Sequence, residues 1–253
     1  MLHIPVLRTK RLTVQLRELS IGASAALAAM PAHNQEACCT AFLQRAIESV
    51  TGIADPALWT VQERMMAVCH YLAATVDDRI ADFAAGDGRY SDYLEAAAQF
   101  PVEAVHLGEV GGDAWNMRQL TGAMAEAIER LHGEAGAPIT GRLHWLLGGM
   151  AAQLTRDGEN LPDTGGAFDE YLLGRMRVLA EFRESDFAAL MDRYLSGRDK
   201  LHHLLRIEFA DDGIVAMPKG GAASALPPAR FPPHRCLSRV ARELVGKPDE
   251  PGV

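Results

Sequence analysis

The stretch VHLGEVGGDAWNMRQLTG, residues 105–122, decides how the chain is read. An apolar, β-prone run over 102–107 meets Gly108, then Gly111 and Gly112, and a helical pattern follows. A strand that passes through glycines into a helix outlines a phosphate cradle, where backbone amides and a helix N-terminus converge on an anion. Three features remove that reading. The spacing G-x-x-G-G matches neither the P-loop nor the dinucleotide fingerprint. Glu109 and Asp113 flank the glycines and repel a phosphate, and no lysine occurs between Lys10 and Lys200. The expectation is a turn at Gly111 and Gly112 between the strand and a helix capped by Asp113. Trp115 and Leu120 are then its packing anchors, and the unit serves docking.

Upstream, Leu12, Val14 and Leu16 alternate with Thr13, Gln15 and Arg17, the pattern of a half-buried strand over 11–18. Ser20 can cap an Ala-rich helix ending near Met30. The intervening polar residues Gln15, Arg17 and Glu18 argue against a signal peptide, despite the basic residues ahead of them. Asn34 is a candidate cap for a helix carrying Cys38, Phe42, Ala46 and Val50. Thr60 and Glu63 form a capping box for a helix with Val61, Met65, Cys69 and Leu72 on one stripe. A loop tip at 86–88 precedes a short helix capped by Ser91. The acids of TVDDRIAD (75–82) read as a solvated face.

Downstream, Thr140 opens GRLHWLLGGMAAQL, and the break at 156–166 divides the chain. Two helices follow, over 167–183 and 186–205, with Ser185 between them. RIEFADDGIVAMP (206–218) reads as a hairpin turning at Asp212-Gly213 in type I′ geometry. The expected fold is mainly α, of the α+β kind. It has a helical domain over 1–155 with strands near 11–18 and 102–110, a helical hairpin plus β-hairpin over 167–218, and a Pro/Gly-rich linker with a C-terminal helix over 219–253.

Composition sets limits on function. The 253 residues are 48% apolar and carry a net charge of −8, which disfavours a phosphate-backbone partner. No run approaches the ~18 apolar residues of a membrane span. Four cysteines suit reduced thiols better than a disulfide framework. Each stands near a histidine, so Cys38, Cys39, Cys69 and Cys236 offer an alternative reading as ligands of zinc or an iron–sulfur cluster. No C-x-x-C pair supports it, and adjacent helical residues such as Cys38 and Cys39 point about 100° apart. No hydrolase or zincin motif is present either, so an enzyme would have to work without a recognisable one. ARFPPHRCLSRVAR (229–242) holds arginines and no acid; it reads first as a solvated tail and, alternatively, as a contact surface for an acidic partner.

The order of parts resembles a known family. RTKRLTVQLRELSIGASAALAAMP (8–31) looks like the opening of tail-assembly and baseplate-hub proteins of tailed phages, where such a strand leads into an Ala-rich helix. WTVQERMMAVCHYLAAT (59–75) looks like the helix that follows there, and 105–131 is similar to their strand–glycine–helix unit. The resemblance covers about the first 155 residues. It implies a non-enzymatic structural protein, without cofactor, that joins tail or baseplate proteins in a hetero-oligomer, in the host cytoplasm during assembly or in the virion. The expected contact residues are Arg8, Lys10, Arg11, Tyr90, Trp115, Phe231 and Arg235.

Overall fold

The computed structural model describes residues 3–75, 82–162, 165–220 and 224–245. In chain order the elements are β1 (Leu7–Arg8), β2 (Thr13–Leu16), α1 (Ile21–Ala28), α2 (Gln35–Ala46), β3 (Ile47–Thr51), α3 (Val61–Thr75), β4 (Ala84–Ala85), β5 (Gly88–Arg89), β6 (Leu94–Glu95) and β7 (Ala104–Val110). Then follow β8 (Asp113–Arg118), α4 (Gly122–Arg130), α5 (Gly141–Gln153), β9 (Leu154–Arg156), α6 (Gly166–Ala180), α7 (Glu184–Leu201), β10 (Leu204–Ala210), β11 (Gly213–Met217) and α8 (Arg239–Leu244). Asp77 and Asp78 of the predicted acidic face, 163–164 of the second break and 221–223 of the linker lie outside the described residues.

Residues 105–122 form a hairpin. β7 and β8 pair antiparallel down to Val110 opposite Asp113, so Gly111 and Gly112 are the two central turn residues. Their φ values of 64° and 86° are what a type I′ turn demands and glycine supplies without strain. Asp113 therefore caps no helix. It opens β8, and its carboxylate pairs with Arg156 of the neighbouring β9 at 3.1 Å. The helix begins at Gly122, where Thr121 is the cap and its hydroxyl accepts from the Met124 amide at 3.4 Å.

The mainly α expectation is corrected by the same substitution of strand for helix. Among the described residues the protein is an α+β mix, 46% helical and 21% strand, with four small sheets. Their orders are β1-β2-β3, β11-β10-β6, β4-β5 and β7-β8-β9. α2 stops at Ala46, and the β-branched run that follows becomes β3, with Val50 opposite Val14. The helix expected at Ser91 is a single 3-10 turn, Tyr90–Asp92, followed by β6. Arg183, rather than Ser185, is the residue ahead of α7. In the later hairpin Ala210 pairs with Gly213, so Asp211 and Asp212 make the turn. Neither has positive φ, and the type I′ assignment there fails.

Two apolar cores result. One gathers β2, α2 and α3 with the aromatic residues Tyr90, Tyr93 and Phe231. The other is built from β8, α4, α5, α6 and α7 around Trp115, Trp145 and Tyr194. Three elements serve both: α3, β10 and β11, where Ala216 belongs to the first core and Ile214 to the second. Val61 of α3 belongs to the second core, whereas Val68 and Leu72 belong to the first. In β10, Leu204 and Leu205 face the first core, and Ile207 and Phe209 the second.

Candidate functional site

The crossing of α3 and β10 begins at the predicted capping box. Thr60 donates its amide to the Glu63 carboxylate at 3.0 Å, and the Glu63 amide donates to the Thr60 hydroxyl at 3.2 Å. That hydroxyl also lies 2.9 Å from His203 Nε2. His203 Nδ1 sits 2.9 Å from the Leu201 carbonyl, which only accepts, so Nδ1 carries the proton and Nε2 accepts from Thr60. Burial holds this imidazole neutral, with its pKa pulled down to about 4.

Beside this junction opens a cleft of about 720 Å³, within the size range of ligand sites. Met117, Leu120, Leu201 and Phe209 give it apolar walls, and Gln62, Gln119 and Gln153 contribute carboxamides. Its polar groups are matched in pairs: Arg198 with Glu208, Arg206 with Asp199 at 2.5 Å, and Glu95 with His202 Nε2 at 3.0 Å. Gln119 Nε2 donates to the Val102 and Leu201 carbonyls, and Gln153 is held between Tyr194 and the Arg118 carbonyl. Gln62 differs. It is 7% exposed, and its carboxamide oxygen has no hydrogen-bond partner. A buried acceptor left unpaired costs about 1–3 kcal/mol, so such groups call for an explanation.

A second polar centre surrounds a buried arginine, with partly buried carboxylates about it. Arg64 of α3 is 1% exposed and donates through Nη2 to the Glu36 carbonyl at 2.6 Å. The carboxylates of Glu36 and Glu126 stand 3.7 and 3.6 Å from its guanidinium. Glu126 also accepts from the Thr40 hydroxyl. Nearby, Glu129 of α4 accepts from the amides of Glu36 and Ala37 at 2.8 and 3.1 Å. It thus caps α2 from another helix, a role the sequence assigned to Asn34, whose side chain makes no capping bond. Burial raises Glu129 to about 7 and pushes Glu36 up as well.

The residues expected at contacts separate into two groups. Arg8 and Arg235 are exposed; Arg235 bonds the Ala84 carbonyl at 3.0 Å. Lys10 is exposed but tethered to the Phe100 carbonyl at 2.9 Å. Arg11 grips Glu63 through two bonds of 3.1 Å, pairs with Glu103 at 2.8 Å and lies over the Phe100 ring. It locks the capping box of α3. Tyr90 and Phe231 are buried against Phe83 and Tyr93, and Trp115 is buried under Arg156 and Arg175. These three aromatics fill the chain's own cores. Their spacing alone could not separate a docking aromatic from a core one.

All four cysteines are buried free thiols. Burial pushes Cys39 up to about 12 and raises Cys69 and Cys236 well above the ordinary thiol range. In that state they pack as small hydrophobes. Among the described residues no group of three or more His, Cys, Asp or Glu is placed to hold a metal ion. Nor is any helix among them long and apolar enough to cross a membrane.

One surface feature stands apart. α1 and α8 pack together, and Ile21 (53%), Val240 (57%) and Leu244 (67%) remain exposed on them. Val240 and Leu244 are four residues apart and so share a helical face. No protein-family model, curated protein or solved structure matches the chain.

Proposed function

We propose that the protein is a structural or assembly component of a phage tail or baseplate, working through protein–protein contacts in the host cell during assembly or in the particle. The resemblance of 8–31, 59–75 and 105–131 to tail-assembly and hub proteins supports the setting. The observation that carries the mode of action is that the packed helices α1 and α8 leave Ile21, Val240 and Leu244 exposed. Burying a Val, Leu or Ile side chain is worth roughly 1.5–3 kcal/mol, and three large apolar side chains forgo it here. Arg8 and Arg235, exposed on separate elements, supply the polar contacts in this reading.

The test is co-expression of the tagged chain with tail-tube, hub and wedge proteins from one phage. The expected result is stable co-purification with one of them, lost in Val240→Asp/Leu244→Asp. Both positions are exposed, so the double variant keeps its fold. A strictly monomeric protein that retains none of these partners sinks the proposal, as does a double variant that binds them equally well.

A further inference from the structure

The cleft of about 720 Å³ runs along one edge of β10. Four consecutive residues of that strand line it: Arg206, Ile207, Glu208 and Phe209. A cavity on one face of a sheet meets only alternate side chains, because successive residues point to opposite faces. Contact with a consecutive run is the mark of an edge.

Hydrogen-bond parity identifies which edge. Ala216 of β11 exchanges bonds of 2.8 and 2.9 Å with Ala229, on the side away from β10. The residue opposite Ala216 in β10 is Ile207. In an antiparallel ladder opposed residues turn their backbone groups both inward or both outward. Ile207, and Phe209 two positions on, therefore aim their N–H and C=O groups away from β11. The Ile207 carbonyl agrees, since it accepts from the Arg198 guanidinium of α7. β6 pairs with β10 only at Leu204 and Leu205. Beyond Leu205 no strand follows among the described residues, and the last turns of α7, from Leu195 to Leu201, form the opposite wall with His202 just past them.

A groove between an open strand edge and a helix is the shape that receives an added strand. We infer that this cleft binds an extended, uncharged segment of a partner protein, laid along β10 beside α7. The inference rests on the reading that the protein acts by contacts, and it names the kind of segment held. The charge balance selects the occupant. Arg198 and Arg206 are paired with Glu208 and Asp199, and the Glu95 carboxylate is bonded to His202 Nε2, so each charged group of the cleft already has a polar mate. The Gln62 oxygen, buried and unpaired in the free protein, gains a donor when its carboxamide turns toward an incoming backbone or side-chain amide. Met117, Leu120 and Phe209 receive the alternate apolar side chains of such a segment. Arg198 occupies the Ile207 carbonyl in the free protein and shields an edge that would otherwise invite any strand. The incoming segment displaces it.

The probe is a phage-displayed library of random linear peptides, panned against the full chain, with enriched sequences then synthesised. Enrichment of uncharged peptides is expected. Their binding should slow amide exchange at Ile207 and Phe209 about tenfold or more, leaving Glu208, already bonded to β11, unchanged. Leu195→Glu, on the exposed rim, should weaken binding about tenfold or more. Gln62→Leu should hold or raise the melting temperature of the free protein while weakening the peptide, which a purely structural glutamine would not do. The inference is overturned by failure to enrich over a blank surface, by enrichment of charged peptides alone, or by peptides that protect neither amide. No tail-tube, hub or wedge protein enters this experiment, so its failure leaves the co-purification test standing, and the reverse holds too.

Discussion

Gly122→Ala tests whether Arg64 is as confined as its burial indicates. A Cβ at Gly122 would stand 1.6 Å from Arg64 Nη1, 2.5 Å from Cζ and 2.7 Å from Cδ. No small adjustment relieves such overlaps, because the guanidinium is bonded to the Glu36 carbonyl and sits between two carboxylates. It must leave. Losing a hydrogen bond from a charged donor costs about 1.5–3 kcal/mol, and removing one partner of a buried ion pair about 3–5 kcal/mol. The two figures overlap in what they count. The better backbone propensity of alanine returns about 0.5–1 kcal/mol, giving a net loss of roughly 2–4 kcal/mol. At about 2–4 °C per kcal/mol for a chain of this size, melting should fall by about 5–15 °C. Gly22→Ala in α1, with nothing within 4 Å of the new methyl, should instead be neutral or stabilising by up to about 1 kcal/mol. In an Arg64→Met background the effect of Gly122→Ala should shrink by about 2 kcal/mol, read as a coupling in urea unfolding. A loss below about 1 kcal/mol, or strict additivity with Arg64→Met, would refute the account.

Arg11→Ala should destabilise by about 3 kcal/mol, since it strips the buried Glu63 carboxylate of its cation; a loss under about 1 kcal/mol, typical of a surface pair, would contradict the clamp. Glu129 is raised above its unfolded value, so the folded state holds more protons between about pH 4.5 and 7. Stability from this group should therefore fall as pH rises through that window. Glu129→Gln should remove much of that slope in urea titrations at several pH values, and an unchanged slope would show the group is not responsible. His203 works in the opposite sense. Depressed to about 4, it supports the fold above pH 6.5 and withdraws that support as pH falls toward 4, a loss His203→Gln should abolish. The four buried thiols should resist Ellman's reagent in the native protein at pH 8 and all react in denaturant; stoichiometric labelling of the folded chain within minutes would disprove their inertness.

What the sequence made legible was local chemistry. Ser20 caps α1 through a bond from the Ala23 amide at 3.2 Å, and the Thr60–Glu63 box opens α3, because each is decided within one turn of chain. Strand against helix was harder where the periodicities coincide. In DAWNMR, Trp115 and Met117 are buried and Asn116 half-buried, a period of two that ran unbroken into the helical pattern from Gly122. Gly111 and Gly112 were read correctly as a turn but joined to the wrong successor. The long-range polar centres were out of reach. Glu129 caps α2 from α4, and Arg11 clamps Glu63, across separations of 93 and 52 residues. No motif announces such a bond, since its geometry exists only after the cores have formed. The cleft belongs to this class. Gln62 stands inside the capping-box stretch with no motif of its own, and Arg206 to Phe209 read as one arm of a hairpin. What sets them apart is that α3 and β10 are, with β11, shared between the two cores. Such elements leave one core before entering the other, and at that crossing neither packing set fully covers the backbone. A strand edge without a partner and a carboxamide without a bond are the two consequences, and they meet in the same cavity.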